Sequence, residues 1–171
     1  MEAQSFTANI QVTGIKETLR ELQKLNPELR KAFNNQFKAI LEPTVSDIKS
    51  RIPSDAPLSG FERPYKKNGA WAGNKVQKGV KTKIDTRRPK PGGLEVTTAF
   101  AIIQKTGWGA IFDMAGKSSS NVLATNLGRR YGVASRSMWP AVIAHQDQIE
   151  SDMSAITDDV MQAVAKEIAS F

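Results

Sequence analysis

The chain carries one histidine, His145, and no cysteine. Without thiols there is no disulfide framework, no thiolate zinc site, no iron–sulfur cluster and no cysteine nucleophile. One imidazole cannot build a multi-histidine metal site, and it leaves little acid–base chemistry near neutral pH. A Ser–His–Asp triad would have to use His145, which has Asp147 beside it in sequence. Both fall inside a predicted helix, and no Gly-x-Ser-x-Gly elbow precedes a helix, so an exposed helical histidine is the better reading. Asp158 and Asp159 are adjacent. Neighbours on a helix point in different directions, so this pair reads as a solvated face and not as an acid and its base. Ala115-Gly116-Lys117-Ser118 imitates the end of a phosphate-binding loop, but that loop needs a glycine five residues before its second glycine, and Ile111 stands there. The reading assigns no catalytic residue, no cofactor-binding residue and no metal ligand. The chain is expected not to be an enzyme and to need no cofactor.

Charge is the stronger signal. The formal net charge is +7 from 24 Lys and Arg against 17 Asp and Glu. Ten of those cations lie between positions 63 and 90: Arg63, Lys66, Lys67, Lys75, Lys78, Lys81, Lys83, Arg87, Arg88 and Lys90. Asp85 is the only acid among them, which leaves 14 basic and 16 acidic residues for the rest of the chain. The body is therefore near neutral and one segment is strongly basic. These ten residues are the candidate contacts to a partner or to DNA. Tyr65 and Trp71 are interleaved with them, as in an arm that contacts phosphates and stacks bases. The segment has no recognised nucleic-acid motif, and a solvated loop or one that orders against an acidic neighbour is the simpler reading. Trp108, Phe112 and Trp139 read first as core aromatics, and Tyr65, Trp71, Trp108 and Trp139 are the candidate interface aromatics.

The elements that must position these residues follow from periodicity. The length of 171 residues fits one domain, with a loop-rich basic insertion at about 53–93. Phe6, Ala8, Ile10 and Val12 alternate with polar residues, which predicts a strand over 5–12. Ile15, Leu19, Leu22 and Leu25 form the apolar side of a short helix. Asn26 suits an N-cap and Pro27 a first helical position, opening a helix over about 27–51. Its stripe is Leu29, Phe33, Phe37, Ile40, Ile48 and Ile52, with a kink or short break expected at Pro43. Two strands, 76–86 and 94–105, are expected as hairpin arms, and the remainder of 53–93 as loop. Trp108 to Ala115 could make one or two helical turns, and Asn121 to Leu127 a short helix. The last helix runs from about Pro140 to Ala169 on Ile149, Met153, Ile156, Val160, Val164 and Ile168, loosened at Thr157. Such a helix, about 45 Å long at 1.5 Å per residue, exceeds what a small sheet covers. The order predicts an α+β fold: a small antiparallel sheet packed by two N-terminal helices and a long C-terminal helix, with an extended basic loop.

The start shows no basic region followed by an apolar stretch, so no secretory leader is expected. The longest apolar run is Ala99 to Ile103, far below the length of a membrane span. A soluble protein made in the cytoplasm is expected, with no membrane partner.

Several segments taken together resemble a known family. The opening strand followed by Thr13-Gly14-Ile15-Lys16-Glu17-Thr18-Leu19-Arg20-Glu21-Leu22 is similar to the start of the neck proteins of long, non-contractile-tailed phages. These are head–tail joining, or tail-completion, proteins. A second helix ending near proline is matched by Arg51-Ile52-Pro53. The family's aromatic-acidic-small step resembles Ile111-Phe112-Asp113-Met114-Ala115-Gly116-Lys117, and its Arg-x-x-x-Pro-Ala entry to the last helix resembles Arg136-Ser137-Met138-Trp139-Pro140-Ala141. Pro57-Leu58-Ser59-Gly60 stands loosely for the family's proline-Thr-Gly-Leu turn, and the 53–93 region is long for the family. The resemblance implies a ring-forming structural subunit, usually a hexamer, seated in the virion neck between the head connector and the tail tube around the DNA channel. Its implied partners are other copies of itself, other neck and tail proteins and, non-specifically, DNA in the channel. The alternatives are a nucleic-acid-binding module using the 63–90 arm and a small hydrolase dependent on His145.

Overall fold

The central strand of a three-stranded sheet explains the chain's longest apolar run. A computed structural model describes residues 7–10, 24, 26–64, 69–84, 100–117 and 121–169. Strands β1 (Thr7–Ile10), β2 (Val80–Ile84) and β3 (Phe100–Gln104) pair in the order β1-β3-β2. In β3, Phe100, Ile102, Ile103 and Gln104 are all buried, as a strand covered on both faces requires. Edge strand β2 instead exposes Lys81 and Lys83 and half-buries Thr82 and Ile84. Five helices complete the described elements: α1 (Pro27–Ser50), α2 (Gly73–Lys78), α3 (Gly107–Met114), α4 (Val122–Tyr131) and α5 (Met138–Ala169). The fold is α+β with a small antiparallel sheet.

Of the expected N-terminal helix over 15–25 only Lys24 is described, and it is helical; residues 5–6 and 11–12 of the first strand, 85–86 of the first hairpin arm and 94–99 of the second lie outside the described residues. Helix α1 begins as its sequence predicts, with the Asn26 carboxamide accepting from Leu29 N at 3.0 Å. It runs unbroken through Pro43, against the expected break. Proline removes one backbone bond there, but Leu41, Thr44, Val45 and Ile48 around it are all buried, and their packing holds the helix together. Leu41 and Val45 lie deeper than Ile40, so the stripe is wider than the spacing suggested.

The described residues of the 53–93 region, 53–64 and 69–84, hold more regular structure than a loop. Ser59–Glu62 form a 3-10 turn that buries Phe61. Val76 and Lys78, expected in a strand, belong to α2, and the strand starts only at Val80. Gly73 and Val76 are buried three apart and Gly79 caps the turn, a helical spacing that imitates alternation over so short a span. Helix α4 extends past Leu127 to Tyr131 and is capped by Asn121, whose side chain accepts from Ala124 N at 2.8 Å. Helix α5 starts at Met138, two residues before the expected Pro140. It continues through Thr157, whose hydroxyl donates to Met153 O at 2.7 Å without loosening it.

The chain groups into two compact units. The first is drawn chiefly from Thr44–Lys81 and Ile102–Ala144, and the second chiefly from Asn9–Pro43, Thr82–Ala101 and His145–Phe171. In the second, Phe37 stacks against Phe100 with ring centroids 4.3 Å apart, and Ile149, Met153 and Val160 form the buried stripe of α5.

The core of the first unit is aromatic. Phe61 meets Trp108 at 4.7 Å and Trp71 at 5.5 Å between centroids. Phe112 meets Trp71 at 5.9 Å and Tyr131 at 5.3 Å, edge to face in both cases. Such pairs add about 0.5–1.5 kcal/mol each beyond area burial. Trp108 and Phe112 thus take the core role, and Trp71 is a half-buried member of the same cluster. Trp139 is 40% exposed.

Candidate functional site

The cations of the first unit are held outward by the same residues that fold it. On α2, buried Gly73 and Val76 fix the inner face, so Lys75 and Lys78 stand exposed three residues apart. On β2, buried Val80 turns Lys81 to solvent. Lys105 follows β3, and its backbone N–H donates to Gly79 O at 3.0 Å, which brings it to the end of α2. Lys75 and Lys105 line one pocket of about 180 Å³, with Ala72, Val76, Thr106 and Trp108 among its walls. Among the described residues, Lys75, Lys78, Lys81 and Lys105 have no carboxylate partner. Arg63, after the 3-10 turn, is also exposed. Lys83 is exposed on β2. Tyr65, Lys66, Lys67, Arg87, Arg88 and Lys90 lie outside the described residues.

Gln104 ties together two residues that line the pocket, Val76 and Thr106, and sequence reasoning passed over it. This buried side chain donates through Nε2 to Val76 O at 3.2 Å and accepts through Oε1 from Thr106 N at 2.9 Å and Thr106 Oγ1 at 3.0 Å. Thr106 Oγ1 in turn accepts from Gly109 N at 3.1 Å, capping α3. Gly79 and Gly109 both lie against the Gln104 side chain, where a methyl group would collide with it. Trp108 is pinned from the other direction, its indole N–H donating to Gly69 O at 2.9 Å. The readable signal was limited to a glutamine closing the apolar run Ala99 to Ile103.

A second constellation joins the end of α3 to the start of α5. Asp113, in the last turn of α3, accepts at one carboxylate oxygen from Ser137 N (2.6 Å), Ser137 Oγ (2.6 Å) and Met138 N (3.2 Å). It supplies from a distance the N-cap that α5 lacks locally. Arg136 returns the favour at the other helix. Its guanidinium donates to Phe112 O (2.7 Å) and Ala115 O (3.0 Å), closing carbonyls left open at the end of α3, and to Gly132 O (3.0 Å), the residue that caps α4. Ser135 N adds a bond of 2.6 Å to Asp113 O, with Ser135 in the left-handed region at φ 69°. Burial draws the Arg136 pKa below its ordinary value and the Asp113 charge opposes that shift. An arginine stays protonated in any case, so the positive charge persists among carbonyl dipoles.

This junction is structural chemistry. Ser137 and Asp113 are in contact, whereas His145 stands half-buried about two turns further along α5. Among the described residues, no group of three or more His, Cys, Asp or Glu is placed to hold a metal ion. Gly116 and Lys117 follow the C-terminal end of α3, with Lys117 N donating to Met114 O at 3.1 Å. A phosphate cradle needs the N-terminal end of a helix, so this geometry opposes one. Arranged this way, the unit offers a cationic, aromatic-backed surface that can receive carboxylates or phosphates.

Compared with models of known protein families, with curated proteins and with solved structures, the chain matches none. Function has to be argued from the residues themselves. No helix among the described residues is long and apolar enough to cross a membrane.

Proposed function

We propose that this chain is a structural subunit of a phage neck: a tail-completion or head–tail joining protein that forms a ring, hexameric by the resemblance, between head connector and tail tube. One observation carries the reading. The two internal segments that resemble the family, Ile111–Lys117 and Arg136–Ala141, are far apart in sequence yet meet through Asp113 and Arg136. Short motifs that merely coincide by chance have no reason to interlock by reciprocal capping. Supporting it are the long helix α5, whose outward face carries Ile143 and Met161 exposed, and a lysine surface suited to an acidic neighbour.

The test is genetic and physical. Phage made without this chain should accumulate DNA-filled heads and separate tails, with joining restored when the chain is added to the lysate. Intact, infectious particles formed without it would refute the neck role.

A nucleic-acid-binding module is the second reading, favoured by Lys75, Lys78, Lys81 and Lys105, which have no carboxylate partner among the described residues. It predicts DNA affinity that falls steeply with salt, and a shallower salt slope once Arg87, Arg88 and Lys90 are neutralised. No binding at low salt would remove it.

A further inference from the structure

We infer that the lysine-rimmed pocket of the first unit docks the outward acidic face of α5 from a second copy of this chain. The inference deepens the ring reading above and rests on it for its biological setting. On the receiving side, Lys75 and Lys105 line a pocket of about 180 Å³, and exposed Lys78 and Lys81 extend its charge. Neither 69–81 nor 100–112 contains a single Asp or Glu.

The donating side is read from helix geometry. Between Met138 and Ala165, α5 holds Asp147, Glu150, Asp152, Asp158 and Asp159 and no lysine or arginine. Ile149, Met153 and Val160 are its buried stripe. At about 100° per residue, Asp147 and Asp158 fall opposite that stripe and Glu150 lies on the flank of the same exposed side, the three spread over about 16 Å of helix. Exposed Ser151 and Ser154 fill the surface between them, so nothing bulky blocks an approach. Glu150 accepts from Gln146 Nε2 at 2.7 Å, and no cation shares the bond.

A second copy suits this pocket better than a duplex does. The pocket is small, closed by Trp108, Val76 and Ala72, and accepts one carboxylate with its apolar stem, whereas a phosphate backbone tracks along an open groove. A basic face on one copy meeting an acidic helix on the next is a head-to-tail contact, the kind that closes into a ring when the rotation allows it. Each exposed ion pair is individually weak, so register comes from several acting together and the contact is sensitive to salt.

Zero-length carbodiimide coupling of an equal mixture of nitrogen-14 and nitrogen-15 chains, read by mass spectrometry, tests this. Expected are mixed-isotope peptides joining Lys75 or Lys105 to Asp147, Glu150 or Asp158. Their yield should fall at least tenfold in Lys75→Glu/Lys105→Glu and in Asp147→Lys/Glu150→Lys, each checked for unchanged circular dichroism. Mixing the two variants should restore coupling, now with the charges exchanged. Coupling confined to same-isotope peptides, coupling elsewhere, or yields indifferent to the swaps would overturn the inference. So would duplex DNA binding that is lost in Lys75→Glu/Lys105→Glu while no mixed peptide forms. Mixed peptides from a protein absent from the neck would leave the docking intact and sink only the neck reading, whereas a neck protein without them does the reverse.

Discussion

Replacing Asp113 by alanine should be among the most damaging single changes in the first unit. The substitution removes all three bonds accepted by its carboxylate from Ser137 and Met138. Loss of an N-cap alone costs about 0.5–2 kcal/mol. The guanidinium of Arg136, only 8% exposed, also loses the neighbouring anion. Arg136 keeps its bonds to the carbonyls of Phe112, Ala115 and Gly132, so the cost is chiefly that of the three lost bonds to a charged acceptor, about 3 kcal/mol in all. That is a large share of the roughly 5–15 kcal/mol that holds a domain folded. Ser137→Ala deletes only the hydroxyl bond and should cost about 1.5–3 kcal/mol at most, as for a hydrogen bond to a charged group. The double variant should cost no more than Asp113→Ala alone, within about 0.5 kcal/mol, because the serine has already lost its acceptor. Equilibrium unfolding in urea, with slopes compared across variants, measures all three. An Asp113→Ala loss below about 1 kcal/mol, or strict additivity with Ser137→Ala, would refute the reciprocal cap.

The neighbouring interactions are testable in the same way. Gly109→Ala should destabilise by about 1–3 kcal/mol because its methyl meets the buried Gln104 side chain. Combined with Gln104→Ala it should cost less than the sum, and full additivity would show that the two do not share space. Gly73→Ala should be at least as harmful, since its methyl would strike the Ser54 backbone, which cannot rotate aside. Denaturant midpoints rank the two glycines. Phe61→Ala should cost about 3–5 kcal/mol by opening a cavity among Trp71 and Trp108, with a shifted tryptophan emission; unchanged fluorescence would argue against the cluster.

The long periodic segments were legible in sequence because many residues vote on one face. Helices α1 and α5 came out within two residues at their ends, and Asn26 capped as its type dictates. Short segments were misread where two periods coincide. Val76 and Val80 fit both alternation and a helical turn followed by a strand, and only the buried Gly73 and the capping Gly79 decide between them. Helix α5 begins early because its cap comes from Asp113, 24 residues away from Ser137. Pairings of that kind leave no local spacing to read. The cations were found by counting, whereas their convergence on a pocket needed Lys105, which lies beyond the basic segment and joins it through the β3 end. Gln104 was missed because a single polar residue in an apolar strand carries no periodic signature.

The neck assignment is tested most directly by a reconstruction of intact particles by cryo-electron microscopy. The account predicts density for this chain as a closed ring between head connector and tail tube, with α5 of one copy against the Lys75 and Lys105 pocket of the next. Particles whose neck density excludes this fold, or that carry the chain elsewhere or not at all, would contradict it.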